Sequence, residues 1–380
     1  MLQEPKSSQN GVISPFHRKR TVSSVMLKFV KKTNLLNGLS MSRVLSLFLT
    51  VSIFAGCSQL PCKPPSYYSP DPAAPYTAEE VRVVTKNGYQ LAGTLTLPVN
   101  FPRPFPAVVL ITGSHPQNRD MAGSIKNPIG RYRPFRQIAD VLSSRGIAVL
   151  RMDDRGVGCS EGGDVANATI PERAEDIKAG IRYLKNRNEV DAERIGLIGI
   201  SEGGNIGPMI ASEDPTIRAI VIMAGSASTG RDILEWQVRY DTALIEGVSD
   251  EERSRILKQR MTAVEKWIAE ADYMPWRKSF VEYNPLRIAH NVCCPVLILH
   301  GDRDAHVPVE HAHLLANEMR KGGNRDVTVK ILADHNHLFL KDKDGRFTNK
   351  RYLKLLEHTN RLSDELLTTI SDWIYSHLAS

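Results

Sequence analysis

Ser201 stands in Gly199-Ile200-Ser201-Glu202-Gly203-Gly204, a serine with a glycine two residues away on either side. A serine hydroxyl becomes a useful nucleophile when a base takes its proton, and the base needs an acid to hold its tautomer. Both types follow downstream in two short segments. His300-Gly301-Asp302-Arg303-Asp304-Ala305-His306-Val307-Pro308 carries two carboxylates, and Ala333-Asp334-His335-Asn336-His337-Leu338-Phe339 carries two imidazoles. Nucleophile, acid and base in that chain order suit acyl transfer. The oxyanion of the tetrahedral intermediate then needs two N–H donors. The backbone N–H of Glu202 is one. The other belongs to Gly113-Ser114-His115-Pro116-Gln117-Asn118-Arg119-Asp120, at Ser114 or His115.

These residues must be held by elements the pattern can supply. Short apolar runs at 107–112, 147–151, 195–199, 219–224, 296–300 and 327–332 suit parallel strands covered on both faces. Each chemical segment leaves the end of one of them. Ahead of them, 81–84, Asn87-Gly88 and 89–97 read as a β-hairpin with a type I′ turn. Thr169-Ile170-Pro171-Glu172 is a capping box for a helix burying Ala174, Ile177, Ile181 and Leu184. A last helix at about 363–378 buries Leu366, Ile370 and Trp373. The expected fold is α/β, a mostly parallel doubly wound sheet. One connection, about 226–290, is far longer than the rest and is expected to be a helical cap inserted after the sixth strand. Ser249 caps a helix there with Leu257, Met261, Val264 and Ile268 on one face. Trp236, Trp267 and Trp276 lie in the insertion and are expected to line an acyl or aryl pocket in part.

With these motifs, and with Asp153-Asp154-Arg155-Gly156 after the fourth strand, the chain resembles the α/β-hydrolase superfamily. The likeness is to its serine-aminopeptidase-like and dienelactone-hydrolase-like esterases, and it spans nearly all of 81–378. It implies a nucleophile elbow at Ser201. The pattern Gly-x-x-Asp-x-x-Val puts the acid on Asp304 rather than Asp302, and Asn-His-Leu-Phe puts the base on His337 rather than His335. The 113–120 loop is similar to a Gly-Ser-Gly-Pro-Gln-Asp-Arg-Asp loop, with His115 in place of a glycine. Asp153–Gly156 is expected to be a structural turn near the pocket.

The net charge of +7 does not mark a nucleic-acid partner. Residues 1–56 carry eight basic side chains against Glu4, leaving 41 basic and 41 acidic residues in the remainder. That segment reads as a leader: Arg43, the apolar run Val44 to Ala55, then Gly56-Cys57, with Met26 or Met41 as alternative starts. Phe54-Ala55-Gly56-Cys57 resembles a bacterial lipobox, which implies lipidation of Cys57 and a membrane-anchored envelope protein. Residues 57–76 then form a tether, and 77–380 the catalytic domain. Cys62, Cys159, Cys293 and Cys294 show no metal or redox spacing and read as small hydrophobes. Gly156-Val157-Gly158 lacks the rest of a dinucleotide fingerprint. His311 and His313 read as solvated helix residues, so no cofactor or metal is expected. The expected function is ester hydrolysis, with a peptidase or amidase on the same triad and a non-catalytic envelope-binding protein as alternatives. The sequence leaves the oligomeric state open.

Overall fold

Apolar runs too uniform for a one-sided sheet become the strands β1 Tyr76–Val84, β2 Gln90–Pro98, β3 Phe105–Ile111, β4 Ala148–Met152, β5 Val190–Ile200, β6 Ile217–Met223, β7 Val296–Gly301 and β8 Val327–Leu332. They form one sheet in the order β1-β2-β4-β3-β5-β6-β7-β8. From β4 to β8 neighbours are parallel, while β2 meets both β1 and β4 antiparallel. This is a computed structural model, and it describes residues 70–122, 132–163, 167–343, 355 and 359–379. The leader at 1–56, the lipidation residue Cys57 and the tether up to residue 69 lie outside the described residues.

The helices are α1 Pro134–Ser143, α2 Ile170–Lys185, α3 Glu202–Glu213, α4 Gly230–Ala243, α5 Asp250–Ala269, α6 Pro275–Glu282, α7 Pro285–Ala289, α8 Glu310–Lys321 and α9 Asp364–Leu378. One face of the sheet packs on α1 and α9 through Phe135, Ile138, Leu142, Leu366 and Ile370. The other packs on α2, α3 and α8 through Ile177, Ile206, Leu315 and Met319. Ile198, in the central strand β5, is fully buried; cutting it to Ala would cost about 2–5 kcal/mol. The capping box at Thr169 is formed, with Glu172 bonding back to the Thr169 N–H at 2.8 Å.

Several local expectations are corrected. Tyr76, placed at the end of the tether, opens β1 and is buried, with its hydroxyl on Asp140. The hairpin turn is not type I′. Gly88 N–H bonds Thr85 O at 2.9 Å and Gly88 alone takes a positive φ of 83°, so Lys86-Asn87 make an ordinary turn closed by a glycine bulge. In α5, Ile256 and Val264 are the buried residues, while Leu257, Met261 and Ile268 are half-buried. Trp373 is half-buried and stacks on His377 at 4.0 Å, and Ile374 takes the core position. Cys159 is buried as expected but disulfide-bonded, and neither Cys293 nor Cys294 is its partner, since both are free. A single cysteine beside a turn gives no sign of a partner distant in the chain.

Candidate active site

β5 must hand the chain to α3 within one residue, and only a strained backbone does this. Ser201 sits at φ 56° and ψ −119°, in a region that a residue with a side chain rarely enters. The two flanking glycines are steric requirements. A Cβ on Gly199 would come 2.0 Å from Gly203 O, and one on Gly203 would come 2.2 Å from Ile111 O. The elbow therefore presents Ser201 at the end of the sheet, with the N-terminus of α3 behind it.

The loops leaving β7 and β8 open at the same edge. Gly301 lets them meet, because a Cβ there would fall 2.1 Å from His335 O. Asp304 and His337 are thereby joined, His337 Nδ1 lying 2.8 Å from Asp304 Oδ2. The carboxylate is buried and fully used. Oδ1 accepts the N–H groups of His306 at 2.7 Å and Val307 at 2.9 Å, and His300 Nε2 lies 3.2 Å from Oδ2. Burial alone would raise its pKa; the imidazoles of His337 and His300 outweigh this and hold the carboxyl well below the usual range. Asp302 instead faces Arg303 at the surface.

Of the two histidines, His335 is fully buried and spent on structure, with Nδ1 2.8 Å from Ala333 O and Nε2 2.9 Å from Ser363 Oγ. The Asn-His-Leu-Phe pattern has a local cause. Asn336 Oδ1 accepts the N–H groups of Leu338 at 3.0 Å and Leu340 at 3.1 Å, and Tyr132 anchors the Leu338 carbonyl. His337 is thus presented by a loop tied on both sides. His300 escaped sequence reasoning because a strand-end histidine in an apolar run reads as core.

The 113–120 loop packs directly on the elbow. A Cβ on Gly113 would lie 3.3 Å from Ser201 Cβ. Ser114 Oγ donates to Glu202 Oε2 at 3.3 Å. His115, where the similar loops carry glycine, has φ 71° and is exposed. The Asp153-Asp154-Arg155-Gly156 turn is what holds this loop. Asp153 receives the Arg119 guanidinium at 2.8 Å, and Asp154 accepts Thr112 Oγ1 at 2.7 Å and the Gln117 N–H at 3.0 Å. Burial pushes the Asp154 carboxyl up to about 6, with the Arg173 guanidinium opposing. Arg155 pairs with Asp176 of α2. Sequence reasoning missed Arg173, which pairs with Glu202 inside the protein.

Among the described residues, hydrogen bonds from Gln237 and Trp276 join the cap to the site. Gln237 of α4 donates to His306 O at 2.9 Å, and Trp276 Nε1 donates to Glu202 Oε2 at 3.1 Å. Trp276 stacks on Phe280 at 5.3 Å, meets Trp267 edge-on at 6.4 Å and lies 5.6 Å from the His115 ring. Trp236 instead stacks on Tyr240 at 4.9 Å. Trp276 thus bonds the elbow directly.

His311 departs from expectation: it is buried, and its Nδ1 accepts the Ala227 N–H at 3.1 Å, while His313 is exposed. Asp304, His306 and His337 bring one ligand atom each within 4.8 Å of one another, so they have the spacing to hold a metal ion. In the structure Asp304 Oδ2 and His337 Nδ1 face each other, and Asp304 Oδ1 carries two backbone donors. No helix among the described residues is long and apolar enough to cross a membrane.

The sequence profile of the prolyl oligopeptidase family matches residues 133–362. Esterase EstD of Thermotoga maritima is 31% identical over 306 residues, covering 79% of this chain and 69% of that protein. An uncharacterized peptidase of Bacillus subtilis, YtmA, is 27% identical over 251 residues, covering 65% of this chain and 83% of its own. Among solved structures, a Pyrococcus furiosus esterase superposes with a TM-score of 0.52 at 19% identity, over 80% of this chain and 92% of that one. The α/β hydrolase GrgF of a Penicillium species gives 0.51 at 20% identity, over 80% and 99%. These two likenesses show the shared fold.

Proposed function

We propose that this chain, which belongs to the prolyl oligopeptidase family and has the α/β-hydrolase fold, hydrolyses carboxylic esters of small molecules through an acyl-enzyme on Ser201. The observation that carries the reading is the His337–Asp304 bond at 2.8 Å, at the sheet edge where the strained Ser201 is presented. In this mechanism His337 takes the Ser201 proton as Oγ attacks the ester carbonyl carbon. The oxyanion is received by the N–H of Glu202 and one from the Ser114–His115 segment. His337 returns the proton to the departing alcohol, then takes one from water as it attacks the acyl-enzyme, and gives that proton to Ser201 Oγ as the acid leaves. Asp304 keeps the imidazole in the tautomer with Nε2 open and stabilises its cation.

Esters rank above peptides for a physical reason. The carboxylate beside the nucleophile, Glu202, is already neutralised by Arg173 and so offers no clamp for a substrate amine. The 31% identity to a protein named as an esterase supports the same choice. The test compares p-nitrophenyl acetate with alanine p-nitroanilide for wild type and Ser201→Ala. Ester turnover should exceed anilide turnover by orders of magnitude and vanish in the variant. Equal ester rates in both proteins would end the serine mechanism, and faster anilide hydrolysis would make it a peptidase. A protein that hydrolyses neither substrate and takes no fluorophosphonate label would be a binding module.

We further propose that the chain is exported and lipid-anchored at Cys57. The Arg43 to Cys57 pattern supports both; the disulfide at Cys159 supports the export alone, since such bonds persist in oxidising compartments. Cys57→Ala protein should leave the membrane fraction; if it stays there, the anchor lies elsewhere.

A further inference from the structure

Resting on that serine-hydrolase reading, we propose that Arg173 is a positioning residue that holds both halves of the oxyanion hole and selects the Ser114 N–H as the second donor. Arg173 projects from α2 and is 7% exposed. A guanidinium taken out of water is costly unless every donor is met. Here Nη1 pairs with Glu202, while Nη2 reaches Gly113 O at 2.7 Å, Thr112 Oγ1 at 3.1 Å and Asp154 Oδ2 at 3.5 Å. Its partners belong to the two segments that supply the oxyanion donors, and to the turn that braces one of them.

The contact with Gly113 O decides an orientation. A trans peptide is planar, with its C=O and the following N–H pointing in opposite directions. With the Gly113 carbonyl held on the guanidinium, the Ser114 N–H is turned away from Arg173. Gly113 itself lies against Ser201, within 3.3 Å of its Cβ by the position a Gly113 side chain would take. The Ser114 N–H is thereby the donor aimed for the oxyanion, and the chain then departs through the left-handed step at His115, φ 71°. On the other side, Glu202 is the first residue of α3, so its own N–H has no acceptor within the helix. Its side chain is pinned by Arg173, Ser114 Oγ and Trp276 Nε1. One guanidinium thus fixes the peptide carrying one donor and the side chain of the residue carrying the other.

A purely structural role would lower stability and leave the chemistry of the folded protein intact. The two are separated by full-length Arg173→Lys, Arg173→Met and Glu202→Gln. For each, kcat and KM for p-nitrophenyl acetate are measured, together with the Ki of a trifluoromethyl ketone that forms a charged tetrahedral adduct. The melting curve establishes that the variant is folded. We expect Arg173→Met to lose about 100-fold in kcat, somewhat less than or equal to the loss of an oxyanion donor, with KM within about threefold. Ketone affinity should fall in step with kcat, Arg173→Lys should recover part of both, and Glu202→Gln should lose about tenfold. Folded variants with kcat within about twofold of wild type, or a kcat loss without weaker ketone binding, would overturn the proposal. Should Arg173→Met not fold, Arg173→Lys and Glu202→Gln decide by the same criteria. An inactive wild type would instead count against ester hydrolysis itself, which Ser201→Ala tests independently.

Discussion

Replacing Asp304 with Asn tests the acid more sharply than deleting it, because the structure dictates how the amide must sit. Two backbone N–H groups, from His306 at 2.7 Å and Val307 at 2.9 Å, point at Oδ1. An amide NH2 there would set donor against donor twice, so the Asn oxygen takes that place. The NH2 then occupies the Oδ2 position, 2.8 Å from His337 Nδ1. His337 can accept that bond only with its proton moved to Nε2, and an Nε2–H cannot take the Ser201 proton. The geometry of the site survives while the base is lost, and an equivalent exchange in a serine protease costs about 10⁴ in kcat. At 1.36 kcal/mol per decade, this is a barrier increase of about 5 kcal/mol. The assay is kcat/KM for p-nitrophenyl acetate at pH 7 for wild type, Asp304→Asn and Asp302→Asn. Asp302 faces solvent and Arg303, so its variant should stay within about twofold of wild type. An Asp304→Asn enzyme within tenfold of wild type, or a dead Asp302→Asn enzyme, would refute the assignment.

Further outcomes follow from other contacts. His337→Ala should abolish turnover. His335→Ala should keep kcat within about fivefold, yet lose about 2–4 kcal/mol in denaturant titration, because its buried ring bonds Ala333 O and Ser363 Oγ. Trp276→Phe keeps the stack on Phe280 but drops the bond to Glu202 Oε2, about 1 kcal/mol. With Glu202 less firmly held, kcat for aryl esters should therefore fall several-fold with KM little changed, measured by steady-state kinetics. Burial pulls the His311 pKa down from 6.5 to about 4. A base whose folded pKa is depressed stabilises above its unfolded pKa and loses that stability as pH falls. Between pH 6.5 and 4, wild type should lose up to about 3 kcal/mol that His311→Gln does not lose, read from denaturant midpoints across that range.

What could be read from the sequence was what local rules encode. The buried parallel strands, the elbow and the Thr169 capping box depend on residues adjacent in the chain, and the structure has them. Arg173 lay beyond such rules. On an amphipathic helix a charged residue next to Ala174 reads as the solvent face, and its burial becomes sensible only when Glu202, Asp154 and Gly113 O converge on it. His311 was misread as solvated for the same reason, since its partner, the Ala227 N–H, comes from a segment 84 residues away. The choice of His337 over His335 rested on likeness to a motif. Its physical basis is the bonding of Asn336 and the consumption of both His335 nitrogens. The Asn-Gly turn failed because two turn types accept that dipeptide, and the pairing register of β1 and β2 decides between them.

The hydrogen bonds that Gln237 and Trp276 make from cap to site bear on how such enzymes can be rebuilt. Gln237 holds the carbonyl of His306, whose own N–H holds Asp304, and Trp276 holds Glu202 next to the nucleophile. The insertion is therefore not an interchangeable lid fitted to a finished machine. A cap grafted from a relative in order to import a new substrate preference brings its own surface but severs both attachments. Such a chimera should fold on the unaltered sheet and still turn over slowly until a glutamine and an indole are restored at those two points. Altering α5, which has neither attachment, is the safer route to a new specificity.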